Sequence, residues 1–192
     1  MPERDAADIP TDDPRPKELQ RAASLVLVNT GPGKGKTSAA MGVVMRAVAR
    51  DWHVGVVQFL KSGTWRTGEE KVCRQLGVDW WAEGEGFTWD SEDLTVDEAV
   101  AAGAWDRARS LIHAGNHRLV VLDEVTYPIN WGWIDIDDAV RTIQERPEQV
   151  SIICTGRNAP QALIDVADTV SEIGEVKHAY KAGIRAKKGI DF

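Results

Sequence analysis

The residues best placed to do chemistry are Gly31, Pro32, Gly33, Lys34, Gly35, Lys36, Thr37 and Ser38, a glycine-rich turn that opens into an amphipathic run. Closely spaced glycines let a backbone curl with its N–H groups pointing inward, and a helix starting there turns its positive end towards the same point. Such a cradle receives a polyphosphate. Lys36 would place a point charge on the phosphate oxygens, and the Thr37 hydroxyl would ligate a magnesium ion. The pattern departs from the usual phosphate loop, because Thr30 stands at its first glycine position while Gly31 and Gly33 lie inside it. A Gly/Lys-rich surface turn is the plain alternative, and the flanking segments weigh against it.

A phosphate cradle works only if a strand and a helix hold it. Leu25, Val26, Leu27 and Val28 before it read as a strand buried on both faces of a parallel sheet. Ala39, Ala40, Val43, Val44, Ala47 and Val48 after it share one side of a helix. A second buried strand is expected over residues 54–60, at a spacing that fits a right-handed βαβ unit. The fold class predicted is therefore α/β: a doubly wound, mainly parallel sheet with a P-loop core of the RecA-like NTPase type, in a single domain.

Leu119, Val120, Val121 and Leu122 form another apolar strand, which ends in Asp123 and Glu124. An acid at that position is the second half of a phosphate-loop site, holding magnesium directly or through water. A solvated or capping carboxylate pair is the lesser reading. Short helices are expected over 18–23 and 70–76, a strand over 78–81 and a long amphipathic helix over 97–114. His113 and His117 near the end of that helix read as aids to its C-terminal cap, since no further metal ligands cluster near them in sequence.

Lys61 and Arg66 stand in a polar loop at the carboxyl edge of the sheet, as anion contacts or as solvated charges. Phe87 and Trp89 lie two residues apart in a glycine-flanked loop. Either that loop folds back onto the core or its rings face a flat ligand. Residues 126–133 read as a second aromatic loop, after which Asp135 caps a helix that Pro147 stops. Arg157 follows a strand over 150–154 and precedes a helix over 160–166 capped by Asn158. It is read as a phosphate contact in preference to a surface residue. A last strand is expected over 169–173.

Composition bounds the rest. With 192 residues, 43% of them hydrophobic, the chain is long enough for one well-buried domain and short for two. A formal charge of −7 argues against a general nucleic-acid binder, whose affinity rests on a basic face. Cys73 and Cys154 lie far apart, with neither a disulfide framework nor zinc spacing, and Cys154 within its apolar run reads as a buried free thiol. No apolar run approaches the roughly 18 to 20 residues of a membrane span, and no signal pattern stands at the N-terminus, so a cytoplasmic protein is expected. Residues 1–17 hold four prolines and five acidic residues and read as a mobile tail. The domain is expected over 18–176, with a basic C-terminal segment, 177–192, that belongs to it and could become ordered beside an anionic ligand.

Several stretches in this order resemble one family: residues 30–37, 56–59, the Gly86-Phe87-Thr88-Trp89 block, 121–127, 155–157 and 176–178. The chain is similar to the ATP:corrinoid adenosyltransferases, which adenosylate cob(I)alamin and cob(I)yrinic acid diamide. The likeness runs from about residue 24 to the C-terminus, and Pro32, which lacks an N–H, is a small departure within the cradle. The resemblance implies that corrinoid cobalt(I) attacks C5′ of ATP and expels triphosphate, so that no general base is needed. It implies that residues 31–38 grip the triphosphate, with Lys36 on its oxygens, Thr37, Glu124 and Asp123 at the magnesium, and Arg157, less strongly Arg46, near the nucleotide. Phe87 and Trp89 match the aromatics that close the lower face of the corrin. A homodimer and a separate flavin-type reductant are further implications. Two other functions stay open on the residues alone: a phosphotransferase or ATPase acting at the γ-phosphate, and a non-catalytic nucleotide or corrinoid binding module.

Overall fold

The direction of each crossover decides which helices lie on which side of the sheet. In a computed structural model, which describes residues 18–62, 67–84 and 94–191, six strands form one sheet. They are β1 (Val26–Thr30), β2 (Val54–Ser62), β3 (Asp79–Gly84), β4 (Leu119–Asp123), β5 (Ser151–Thr155) and β6 (Thr169–Glu172). Their order is β3-β2-β4-β5-β1-β6, and every neighbouring pair is parallel. The helices are α1 (Lys36–Val48), α2 (Gly68–Gln75), α3 (Leu94–Ala114), α4 (Thr126–Asn130), α5 (Ile136–Gln144) and α6 (Gln161–Asp165), followed by a 3₁₀ turn over Ala179–Ala182.

The connections through α1 and α2 run towards the β3 edge, and those through α3, α5 and α6 run towards the β6 edge. Right-handed crossovers therefore put the two sets on opposite faces. Packing follows that rule. Ala40, Met41, Val44 and Cys73 meet Val56, Leu119, Val121 and Ile153 on one face. On the other, Ala104, Ala108, Ile112, Ile143 and Leu163 meet Val57, Val120, Leu122 and Ile152. Every residue of β4 and β5 is buried, which is why their sequences read as unbroken apolar runs. Cys154 is a free, buried thiol whose pKa burial pushes up to about 12. The α/β class with its doubly wound parallel sheet is thus observed.

Four local expectations are corrected. Residues 18–23 form no helix, since Leu19 is left exposed and no apolar face docks. Residues 126–133 are not a plain loop: the turn after β4 tightens into α4, burying Thr126, Pro128 and Ile129, while the Tyr127, Trp131 and Trp133 rings pack on one another. Asn158 adopts a left-handed turn conformation and Pro160 takes the N-cap position of α6. His117 does not serve the end of α3. The parallel pairing brings the start of β4 beside the starts of β2 and β3, so His117 is buried against His53 and Asp79. Phe87, Trp89 and Arg66 lie outside the described residues, as does the 1–17 tail.

The layer of α3 and α5 is tied by one carboxylate. Asp138 accepts hydrogen bonds from Trp105 Nε1 at 2.7 Å and Arg109 Nη1 at 3.3 Å. The Trp105 bond, with the neighbouring arginines, holds its carboxyl below the usual range. Asp138→Ala is expected to lower unfolding free energy in urea by roughly 1–2 kcal/mol at pH 7. Because the folded pKa is depressed, the difference is full above the ordinary carboxylate pKa of about 4 and shrinks as pH falls through and below it.

Candidate functional site

The carboxyl ends of β1, β4 and β5 are neighbours in the sheet order β4-β5-β1, so the loops that follow them share one edge. The turn after β1 opens α1 with Gly35 as its N-cap at φ 122°, a left-handed conformation that glycine adopts without strain. Gly31, itself at φ 99°, and Gly33 are also required because the loop lies hard against the backbone after β6. A Cβ at Gly31 would come within 2.6 Å of the Ile173 carbonyl, and one at Gly33 would fall on the Gly174 carbonyl. Gly33 donates its N–H to Ile173 O at 2.7 Å, and Ile173 N–H donates to Thr30 O at 2.8 Å.

Within this curl the Lys36 ammonium donates to the carbonyls of Gly31 at 2.9 Å and Gly33 at 2.6 Å. Burial lowers its pKa, and Arg157 lowers it further against the opposing pull of Glu124 and Asp123. An incoming polyanion would relieve both penalties at once. Lys34 and Ser38 are exposed on the rim of the cleft, where Lys34 pairs with Asp191 at 2.9 Å. Pro32 is exposed.

Asp123 sits below the cradle with no exposure to water. Its Oδ1 accepts from the Thr37 hydroxyl at 2.8 Å and the Thr155 hydroxyl at 2.7 Å, and its Oδ2 accepts from Gln58 Nε2 at 2.8 Å. Glu124 follows in a left-handed conformation, φ 65°, with its N–H donated to Thr155 Oγ1 at 2.9 Å. Its carboxylate lines the cleft of about 230 Å³ together with the phosphate loop, Tyr127 and Arg157. Burial and the Glu124 charge raise the Tyr127 pKa. Arg157 is exposed, and its own carbonyl is held by the Thr126 hydroxyl at 2.7 Å, close under Gly156.

Of the site residues expected from sequence, Gly31 to Ser38, Asp123, Glu124 and Arg157 meet at this edge. Arg46 does not. It stands exposed in the last turn of α1, ten residues beyond Lys36 and so about 15 Å along the helix axis. Sequence reasoning did not assign roles to Gln58 and Thr155, both of which hold Asp123. The signal was there for Gln58: an amide within Val54-Gly55-Val56-Val57-Gln58-Phe59 is a buried polar group in need of a partner. His178, Ile190 and Asp191 of the C-terminal segment also line the cleft. The oxygen donors Thr37, Asp123 and Glu124 suit a hard cation such as Mg²⁺.

The family model and the named relatives agree with one another. Residues 22–192 match the family described as ATP:corrinoid adenosyltransferase BtuR/CobO/CobP. A corrinoid adenosyltransferase of Pseudomonas aeruginosa is 44% identical over 170 residues, covering 88% of this chain and 83% of that protein. A corrinoid adenosyltransferase of Escherichia coli is 39% identical over 180 residues, 94% of this chain and 91% of the relative. The corrinoid adenosyltransferase CobA of Salmonella typhimurium is 38% identical over the same shares.

The contact between loop and β6 end gives a direct test. Gly33→Ala should force the cradle off Ile173 and Gly174, lowering stability by roughly 1–3 kcal/mol. Calorimetric titration with magnesium ATP should register at least a tenfold loss of affinity, corresponding to about 1.4 kcal/mol.

Proposed function

The chain belongs to the ATP:corrinoid adenosyltransferase family BtuR/CobO/CobP, and on that premise we propose that it transfers the 5′-deoxyadenosyl group of ATP to the cobalt(I) of a corrinoid in adenosylcobalamin biosynthesis or salvage. The observation that carries the reading is the Lys36 ammonium folded into the phosphate loop beside the Thr37–Asp123 hydrogen bond, in a chain up to 44% identical to the corrinoid adenosyltransferases named above.

In this reaction the cobalt(I) electron pair forms the bond to C5′. The C5′–O bond breaks, and the triphosphate leaves with its electron pair. The protein removes no proton from the nucleophile, so its work is positioning and charge stabilisation. Lys36 exchanges the Gly31 and Gly33 carbonyls for triphosphate oxygens, residues 31–38 hold the chain of phosphates, and Arg157 adds charge from the facing loop. Thr37 and Glu124 are the direct candidates to hold magnesium, with Asp123 behind Thr37 as the residue that fixes the hydroxyl. A magnesium ion bound there supplies neutralising charge to the leaving group. Phe87 and Trp89 are proposed to cover the lower face of the corrin and exclude the axial ligand, which makes cobalt(II) easier to reduce.

The protein is further inferred to act in the cytoplasm as a homodimer supplied with electrons by a separate flavin-type reductant. The domain is taken to span 18–176 with the basic segment 177–192 belonging to it, a reading supported by the Lys34–Asp191 pair. No helix among the described residues is long and apolar enough to cross a membrane.

Incubation with ATP, magnesium and chemically reduced cobalamin should yield triphosphate and a light-sensitive alkylcobalamin, followed by absorbance. ADP without alkylation would instead establish attack at the γ-phosphate, and tight binding without product a carrier. Phe87→Ala and Trp89→Ala should each slow turnover from cobalt(II) at least tenfold more than turnover from pre-reduced cobalt(I), a selective loss of about 1.4 kcal/mol. Equal losses in both assays would remove the role given to these rings.

A further inference from the structure

Three side chains with no part in the phosphate site converge at the opposite, amino edge of the sheet. His53 immediately precedes β2, Asp79 begins β3 and His117 lies two residues before β4. The order β3-β2-β4, with Gly55 paired to both Asp79 and Val120, sets these three strand entries side by side. His53 Nε2 lies 2.9 Å and His117 Nε2 3.0 Å from the same atom, Asp79 Oδ2. The two imidazoles stack with centroids 4.1 Å apart. Gly55 leaves room for them, since a Cβ there would approach the His117 ring to 3.2 Å.

The partners of His53 limit what can lie between these atoms. Its Nδ1 is 3.2 Å from the Asn116 carbonyl, which can only accept, so that nitrogen carries the hydrogen. A neutral ring then presents the lone pair of Nε2 to a carboxylate oxygen at 2.9 Å. Two lone pairs do not hold that distance without a positive centre between them. The candidates are a second ring proton and a metal cation.

We propose that the cluster is a binding site for a divalent transition metal of the Zn²⁺ class, ligated by His53 Nε2, His117 Nε2 and an oxygen of Asp79, with water completing the shell. Hydrogens on both Nε2 atoms are the alternative filling of these contacts; the convergence of three metal-ligating side chains, with their ligand atoms all within 4.8 Å of one another, favours the ion. Two imidazoles and a carboxylate are the donor set that zinc and its neighbours accept, and that magnesium and calcium do not favour. The Nδ1–H bond to Asn116 is the outer contact that orients a metal-binding histidine and leaves Nε2 for the ion. His117 is 5% exposed and its Nδ1 has no partner among the described residues, so Nε2 is the ring atom anchored there.

The fit requires the rings to turn. Bonds of about 2.0–2.1 Å in a tetrahedron place ligand atoms about 3.3 Å apart, so the two contacts to Asp79 open by only a few tenths of an ångström, while the stacked imidazoles rotate out of their near-parallel pairing to aim both Nε2 lone pairs at one ion. Asp79 and His53 are 45% and 49% exposed, which gives the carboxylate space to swing outward and the ion a path in. A metal there would pin the entries of three adjacent strands from the edge opposite the phosphate loop.

The test is to strip the full chain with a chelator and titrate it with Zn²⁺ by calorimetry, with magnesium ATP present to occupy the phosphate edge. Co²⁺ serves as the spectroscopic probe. One Zn²⁺ per chain, visible Co²⁺ ligand-field bands and a melting temperature that rises with Zn²⁺ are expected. His53→Ala and Asp79→Ala, both at half-exposed positions, should each weaken Zn²⁺ binding at least about 100-fold and abolish the bands. A chain that takes up no Zn²⁺, or one whose uptake is equal in both variants, overturns the proposal. So does a His53 ring that ¹⁵N resonances find carrying two protons in excess Zn²⁺.

Discussion

A carboxylate shut off from water is destabilising unless the protein supplies its hydrogen bonds, and the functional edge of this molecule is arranged around one. Asp123 draws its donors from three places: Thr37 in the first turn of α1, Thr155 at the end of β5 and Gln58 in β2. Losing one hydrogen bond to a buried charged group typically costs about 1.5–3 kcal/mol. The start of α1, and with it the phosphate loop, therefore cannot drift relative to the sheet. Thr155 extends the constraint by accepting the Glu124 N–H, which registers the carboxylate facing the cleft against the one beneath it.

Above that pin the charges are balanced in a way that favours an anion. Lys36 is held by carbonyl oxygens, which are neutral partners, and burial together with Arg157 works against its charge. The loop is thus a cation held in waiting, with its positive field directed into the cleft and no carboxylate among the described residues bonded to it. The same preorganisation serves a triphosphate that is bound and a triphosphate that is leaving. The second is the more demanding case, because charge grows there as the bond to C5′ breaks.

Much of this was legible in the chain, for identifiable reasons. The strands of the sheet centre read as apolar runs because they are buried on both faces, and the phosphate loop read as one because its glycines and Lys36-Thr37 stand between a strand and a helix. Local sequence failed where a partner lay far along the chain. The amide of Gln58 declared a need for a partner without naming Asp123, and Thr155 gave no sign of its two bonds. His117 was taken for a helix-end residue because His53 and Asp79 are neighbours only once β2, β3 and β4 are paired. Residues 18–23 looked mildly helical, but helicity in so short a segment depends on docking, and Leu19 finds nothing to dock against. The same holds for α4, which five residues could not announce alone.

The contact between the phosphate loop and the end of β6 also decides how many donors the cradle can give. Pro32 has no N–H, and the N–H of Gly33 is already committed to Ile173. Two successive positions on the arc of inward amides are therefore silent towards a phosphate. Solvation of the anion falls instead to the ammonium of Lys36 and the amides leading into α1. That asymmetry biases a bound triphosphate towards the helix side of the loop, and the altered glycine pattern becomes a matter of nucleotide register as well as steric fit.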